Sequence, residues 1–252
     1  MKITVLGSGT STGVPMVGCG CRVCRSDDPR DKRTRCSLLV ETAGRHILVD
    51  TSTDLRQQAI RHGLPRIDAV LFTHSHADHV HGIDDLRGFH FIHKQIVPCY
   101  GSRETMTALT RNFSYIFKGM ESEGYAPLLE PHSVNGPFQL FGKTFIPVPL
   151  LHGAGRATGY RVDAMAYLTD CSAIPPSSRE LLDGLDLLII DALRYTPHFT
   201  HFNIDGALEI VGELKPKRTV FTHLTHEVSC RDGDRLPAGV ELAYDGMVLE
   251  LD

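Results

Sequence analysis

The chain lacks any run of eighteen apolar residues, so no membrane-spanning helix is expected. Its first residues, Met1-Lys2-Ile3-Thr4-Val5-Leu6-Gly7, lack the longer apolar stretch and cleavage site of a secretory signal. They read at once as a strand entering a glycine turn. A basic excess is missing too. With 26 Lys and Arg against 30 Asp and Glu, the formal charge is −4, which argues against dedicated nucleic-acid binding. No Ser/Gly-rich linker or low-complexity tract divides the 252 residues, and 42% of them are apolar, enough for a core. Residues 1–252 are therefore expected to form a single domain. Nor is there an even cysteine set. Of seven cysteines, three crowd into 19–24, which suits metal-bound thiolates in a reducing, cytoplasmic setting better than a disulfide framework.

What is present is alternation of strand and helix patterns. Strand-like runs fall at 2–6, 37–41, 46–50, 68–73, 138–148, 158–162, 165–169, 186–191, 218–222 and 246–251, with hairpin turns at Gly142-Lys143 and Asp163-Ala164. Met106, Leu109, Phe113 and Phe117 recur at helical spacing in 102–117, behind Ser102 as N-cap. Ser177 and Glu180 form a capping-box pattern for a helix through Leu185, and Ile204, Leu208, Val211 and Leu214 give another apolar stripe. Two strands, 70–73 and 219–222, each deliver histidines from the C-terminal end. Three others end in Asp50, Asp170 and Asp191, and in an α/β architecture such ends share a ligand-binding rim. For Asp50 and Asp191, simple turn capping is an equally good reading.

The strongest signal is His74-Ser75-His76-Ala77-Asp78-His79, directly after a buried strand. His74 and His76 can converge on one cation, leaving Asp78 and His79 for a second; imidazole with carboxylate suits zinc, manganese or iron.

This H-x-H-x-D-H sequence resembles the metallo-β-lactamase superfamily, and the likeness runs over the whole chain. It implies an α/β (α+β) fold, the αββα sandwich of two stacked mixed sheets flanked by helices. It implies two active-site divalent metals, Mn or Zn with Fe as an alternative. By the same resemblance His74, His76 and His152 hold the first metal, and Asp78, His79 and His223 the second. Asp170 bridges them, and Asp50 supports them from behind. A carboxylate bridge, rather than a cysteine, fits members that attack phosphodiesters or thioesters. Cys171 reads as packing.

Cys19-Gly20-Cys21-Arg22-Val23-Cys24 offers three thiolates in a glycine-rich loop, a structural zinc site if a fourth ligand arrives. Spacing alone nominates only Cys36. The opening Gly7-Ser8-Gly9-Thr10-Ser11-Thr12-Gly13-Val14-Pro15 followed by this loop is similar to the PhnP-type cyclic-phosphate phosphodiesterases. That resemblance implies His226 as the fourth ligand, with Cys36 a core thiol. It also implies that His201 lies beside the substrate phosphate, with His198 its rival; a loop histidine by itself is more often merely solvated. Asp78 and His201 are thus the candidate catalytic residues.

The expected function is metal-dependent hydrolysis of a small, cyclic phosphodiester, nucleotide-like or a sugar phosphate. The expected partner is that substrate alone, with no membrane or dedicated nucleic acid; a homodimer stays open. The alternatives are a tRNA 3′-processing nuclease, a glyoxalase II-like thioesterase and a pyrroloquinoline-quinone biosynthesis B-like metal protein. His81, His90 and His93 fall outside the motif, His46, His62 and His132 read as surface residues, and the segment 83–130 is placed to wall the pocket.

Overall fold

The computed structural model describes residues 1–118 and 128–251. Fourteen strands form two seven-stranded sheets. The first contains β1 (Lys2–Gly7), β2 (Ser37–Thr42), β3 (Arg45–Val49), β4 (Ala69–Leu71), β5 (Val97–Gly101), β6 (Leu129–Ser133) and, at the end of the chain, β14 (Val248–Glu250), in the order β14-β1-β2-β3-β4-β5-β6. The second contains β7 (Phe138–Leu140), β8 (Lys143–His152), β9 (Gly155–Val162), β10 (Met165–Leu168), β11 (Leu187–Asp191), β12 (Arg218–Thr222) and β13 (Val240–Leu242), in the order β13-β12-β11-β10-β9-β8-β7. Both are mixed. Pairing is antiparallel through β14, β1, β2 and β3 and parallel from β3 to β6; likewise it is antiparallel from β7 to β10 and parallel from β10 to β13.

Strand alternation makes the layers. Ile3, Val5, Val40, Ile47 and Leu71 of the first sheet meet Phe145, Tyr160, Val162, Ile189 and Val220 of the second in one buried cluster between the sheets. The opposite faces, with Leu6, Leu48 and Val70 on one side and Leu168, Leu188 and Phe221 on the other, pack under helices. Over the first sheet lie α1 (Leu55–Arg61), α2 (Ala77–Val80), α3 (Leu86–His93), α4 (Arg103–Asn112) and α5 (Ser114–Lys118). Over the second lie α6 (Pro176–Arg179) and α7 (Ile204–Leu214). This is the αββα sandwich.

Several local expectations need correction. The stripe in 102–117 is two helices, because Phe113 leaves the helical region (φ −119°, ψ 42°); Ser102 does cap the first by accepting from the Thr105 amide. No capping box forms at Ser177. Helix α6 starts at Pro176, whose fixed φ and missing N–H suit a first turn, and it passes into a 3-10 turn ending at Leu182. On α7 the buried stripe is Ile204, Ala207 and Ile210, with Leu208, Val211 and Leu214 only half-buried beside it. The first hairpin turn is Phe141-Gly142, Lys143 already being the first residue of β8.

Strand β1 runs into the loop that bears the cysteines, and this loop is threaded tightly. Leu224, just after β12, donates its amide to the Ser8 carbonyl at 3.0 Å, and a Cβ on Gly9 would lie 2.9 Å from the Arg33 carbonyl oxygen. Glycine is what the approach allows.

Candidate metal centre

The rim of the sandwich collects the ends of β3, β4, β8, β10, β11 and β12, and every histidine and aspartate named for the two-metal cluster arrives there. His74, His76 and His152 place one ligand atom each close enough to share a cation; so do His74, His79 and Asp170, and so do Asp78, His79 and His223. Asp170 is the hub. Its carboxylate oxygens lie 3.1 Å from His79 Nε2, 3.4 Å from His223 Nε2, 3.8 Å from His74 Nε2 and 4.0 Å from His152 Nε2. Asp78 completes the second group at 3.3 Å from His79 Nε2 and 3.7 Å from His223 Nε2.

The backbone is bent to deliver them. Asp50, Asp170 and His223 each follow a strand with a left-handed φ, of 62°, 55° and 60°. Asp and His tolerate that region better than most residues, yet each instance costs on the order of 1–3 kcal/mol and persists only where the surroundings enforce it. Three such turns on one rim mark a functional edge.

His74, His79 and His152 are oriented from behind. Asp50, fully buried, accepts from the Thr73 amide at 2.8 Å, from the Thr73 hydroxyl at 2.7 Å and from His79 Nδ1–H at 2.7 Å. The Thr73 hydroxyl in turn accepts from His74 Nδ1–H at 3.0 Å, so one carboxylate fixes two rings. His152 Nδ1–H donates to the Thr200 carbonyl at 2.8 Å. Nε2 of His74 and His79, whose Nδ1 atoms are so engaged, is buried without any hydrogen-bond partner, and both ring nitrogens of His223 are likewise buried and unpartnered. Orphaned imidazole nitrogens facing carboxylates are what a metal site requires, and the residues fit two divalent cations.

Electrostatics agrees with that fit. Burial alone would push the His223 ring down, but Asp170, Asp78 and Asp191 outweigh it and raise the ring to about 9. Burial would likewise push Asp170 up; instead the rings of His223, His79 and His74 hold it well below the usual carboxylate range. Without cations, protons neutralise this acidic hub.

His201 also belongs to the cluster. Its Nδ1–H donates to Asp191 at 2.7 Å and its Nε2 stands 3.9 Å from Asp170, on the side left open by exposed His76 and half-buried Asp78. Asp191 is thereby more than a turn cap: it orients His201 and also accepts from the Cys171 amide at 3.1 Å. His198, the rival, lies one ring further out, 5.3 Å from His201 between centroids, and makes no contact with Asp170 closer than His201's.

A second cluster stands apart. Cys19, Cys21, Cys24 and His226 could share one ion, with His226 Nδ1 3.4 Å from Cys19 Sγ and 3.3 Å from Cys21 Sγ. The amides of Met16, Cys21 and Cys24 point at these sulfurs. The Cys24 amide and the His226 ring bring the Cys21 thiol down to about 6, while burial pushes Cys24 up to about 11. Three thiolates and one imidazole suit a closed zinc site. Cys36 is elsewhere, buried against the Thr222 hydroxyl, and Cys171 is core.

The remaining histidines serve the scaffold. His90 and His93 donate to the carbonyls of Gln95 and Pro65, and His81 lies edge-on to Phe113. His46, His62 and His132 are half-buried rather than surface residues; His132 stacks on Tyr100, and His46 sits between Glu41 and Asp68. Within 83–130, Ile116 and Phe117 are core, and Phe89 and Ile92 line an apolar groove against α1 that contains none of the clustered histidines. Residues 119–127 of that segment lie outside the described residues. Thr73 and the Thr200 carbonyl gave no signal in the sequence, since a hydroxyl relay and a backbone acceptor have no spacing pattern.

Residues 45–224 match the family model described as the beta-lactamase superfamily domain. A solved structure described as a new diphosphatase from the PhnP family is 45% identical, with a TM-score of 0.93 over 100% of this chain and 98% of the other. An octanoyltransferase of Porphyromonas gingivalis is 40% identical over 100% of this chain, which spans about half (52%) of that protein's length. A coenzyme PQQ synthesis protein B of Methylobacterium nodulans is 27% identical over the full length of both. The histidine–aspartate rim, the thiolate loop and these likenesses agree: the chain belongs to the metallo-β-lactamase superfamily and, within it, to the PhnP family.

Proposed function

We propose that the chain hydrolyses a small phosphodiester, cyclic or diphosphate-linked. Both kinds of substrate present a phosphorus with two bridging oxygens and one negative charge. The observation that carries this reading is the His201–Asp191 pair beside a complete His/Asp cluster. His74, His76 and His152 would hold one divalent cation and Asp78, His79 and His223 the other, with Asp170 between them. Two cations held there would supply an activated water at neutral pH and neutralise charge on the substrate. The chain's own residues do the rest. Asp191 accepts the Nδ1–H of His201, so the protonated ring would turn its second N–H, at Nε2, to the open side, where it can hold the phosphate or pass that proton to the departing oxygen. Asp78, partly exposed at the same opening, is placed to carry a proton between water and solvent.

The 45% identical diphosphatase supports the diphosphate-linked form, and the thiolate loop supports the cyclic-phosphate likeness. The octanoyltransferase name belongs to a chain about twice as long, so an acyl thioester is the reading to test against. Turnover should be measured with added manganese or zinc on bis(p-nitrophenyl) phosphate, a 2′,3′-cyclic nucleotide, a nucleoside diphosphate diester and an acyl thioester. Metal-dependent release from the phosphorus substrates is expected. Turnover of the thioester alone would overturn the proposal.

A further inference from the structure

Between β11 and α7 the chain makes a closed loop around Arg194–His201. Its neck is fastened by the Leu193 amide on the Phe202 carbonyl and the Ile204 amide on the Arg194 carbonyl, both at 2.9 Å. Inside it, Asn203 Nδ2 donates to the Tyr195 carbonyl at 2.9 Å, and the Thr200 hydroxyl meets His198 Nδ1 at 3.1 Å. Ends held together and an interior hydrogen-bonded to itself describe a compact, ordered loop, a type frequently used in function.

That loop presents an apolar ring to water. Phe199 is 81% exposed, although it stands directly before Thr200, whose carbonyl orients His152, and two residues before His201. Its backbone is pinned as well. Gly153, left-handed at φ 60°, approaches so closely that a Cβ there would lie 2.7 Å from the Thr200 side chain. One face of Phe199 rests on His198, with centroids 4.8 Å apart at 26°, and His198 stands 5.3 Å from His201. An ordered loop forgoes the burial of this ring while holding it two ring contacts from the cluster. Steps of 4.8 Å and 5.3 Å between ring centroids lead from Phe199 through His198 to His201, so one ligand could meet both ends.

We propose that Phe199, backed by His198, is a stacking platform for a planar group of the substrate, a nucleobase or a ring of similar size. The inference rests on the phosphoester reading for the phosphate end of that substrate and adds the chemistry of its other end. Base-on-aromatic stacking tolerates any base, so the platform selects for a flat ring rather than for one sequence of donors and acceptors.

The test reads binding rather than turnover. AMP and inorganic phosphate are titrated calorimetrically into the metal-loaded protein, as wild type, Phe199→Ala and Phe199→Tyr. Wild type should hold AMP more tightly than phosphate. Phe199→Ala should weaken AMP about tenfold and leave phosphate within about twofold, and Phe199→Tyr should keep AMP affinity. Equal AMP affinity in wild type and Phe199→Ala would overturn the platform. So would parallel loss of AMP and phosphate, which would mark a role in holding the loop, or a change confined to oligomeric state, which would mark a contact between copies. Failure of every phosphoester in the turnover assay would instead remove the proposed reaction while leaving this binding result to be judged on its own.

Discussion

Asp78 lies within reach of both His79 and His223 yet keeps its side chain 13% exposed at the opening, so it serves the cluster and can exchange protons with solvent. Asp78→Ala should lower kcat by at least about a hundredfold, the low end for losing acid–base assistance, with a smaller effect on KM. Near-normal turnover with both cations bound would contradict its role. His201 and His198 are separated by their partners rather than by sequence: only His201 is held by a buried carboxylate. Steady-state kinetics paired with metal analysis should find His201→Ala slow in kcat with its metals intact, and His198→Ala mild in kcat; the reverse ranking would move the proton-carrying role outward. Protonation offers a further check. His223, raised to about 9 in the metal-free chain, must lose its proton to accept a cation. Filling the His/Asp cluster at neutral pH should therefore release protons, and the share from His223 should fade as pH rises through about 9. Calorimetric titration in two buffers of different ionisation enthalpy reads this directly, and buffer-independent heats would count against it.

At the scale of elements, the rim was legible wherever a strand ended in a titratable side chain, because an apolar run followed by His or Asp is a pattern in one dimension. β4 with His74, β10 with Asp170 and β12 with His223 are of this kind. β5, β6 and β13 were not legible. The first two carry Pro98 and Pro131, which interrupt any strand pattern, and the last is only three residues long. Asp191 looked like a turn cap because its partner, His201, lies ten residues on in a loop of no regular period. The cysteine loop shows the same divide: three ligands are local, whereas His226 is brought in by the pairing of Leu224 with Ser8. That pairing joins the loop to the end of β12 and hence to His223. Cys21→Ser should lower both Tm and zinc content while leaving the His/Asp residues intact, which thermal melts and elemental analysis of the variant will read. Unchanged melting and unchanged zinc would mean the loop holds no structural ion.

The whole molecule is two sheets with similar strand patterns stacked face to face, and each supplies part of the cluster at their common rim. The first gives Asp50 and the residues after β4, the second gives His152, Asp170, His201 and His223. The sandwich is thus the device that brings distant strand ends together, and the thiolate site clamps the N-terminal loop against it. These residues would hold metal in two chemically different sites, an open His/Asp pair and a closed thiolate site. Soft sulfur ligands favour zinc, while imidazole and carboxylate also accept manganese. Metal content per chain, followed by elemental analysis during graded chelation, tests this most directly. Three metals are expected at the start, with loss of two under mild chelation, one zinc retained by the cysteines, and refilling of the two by manganese. Only two metals at full loading, or zinc leaving the cysteines first, would contradict it.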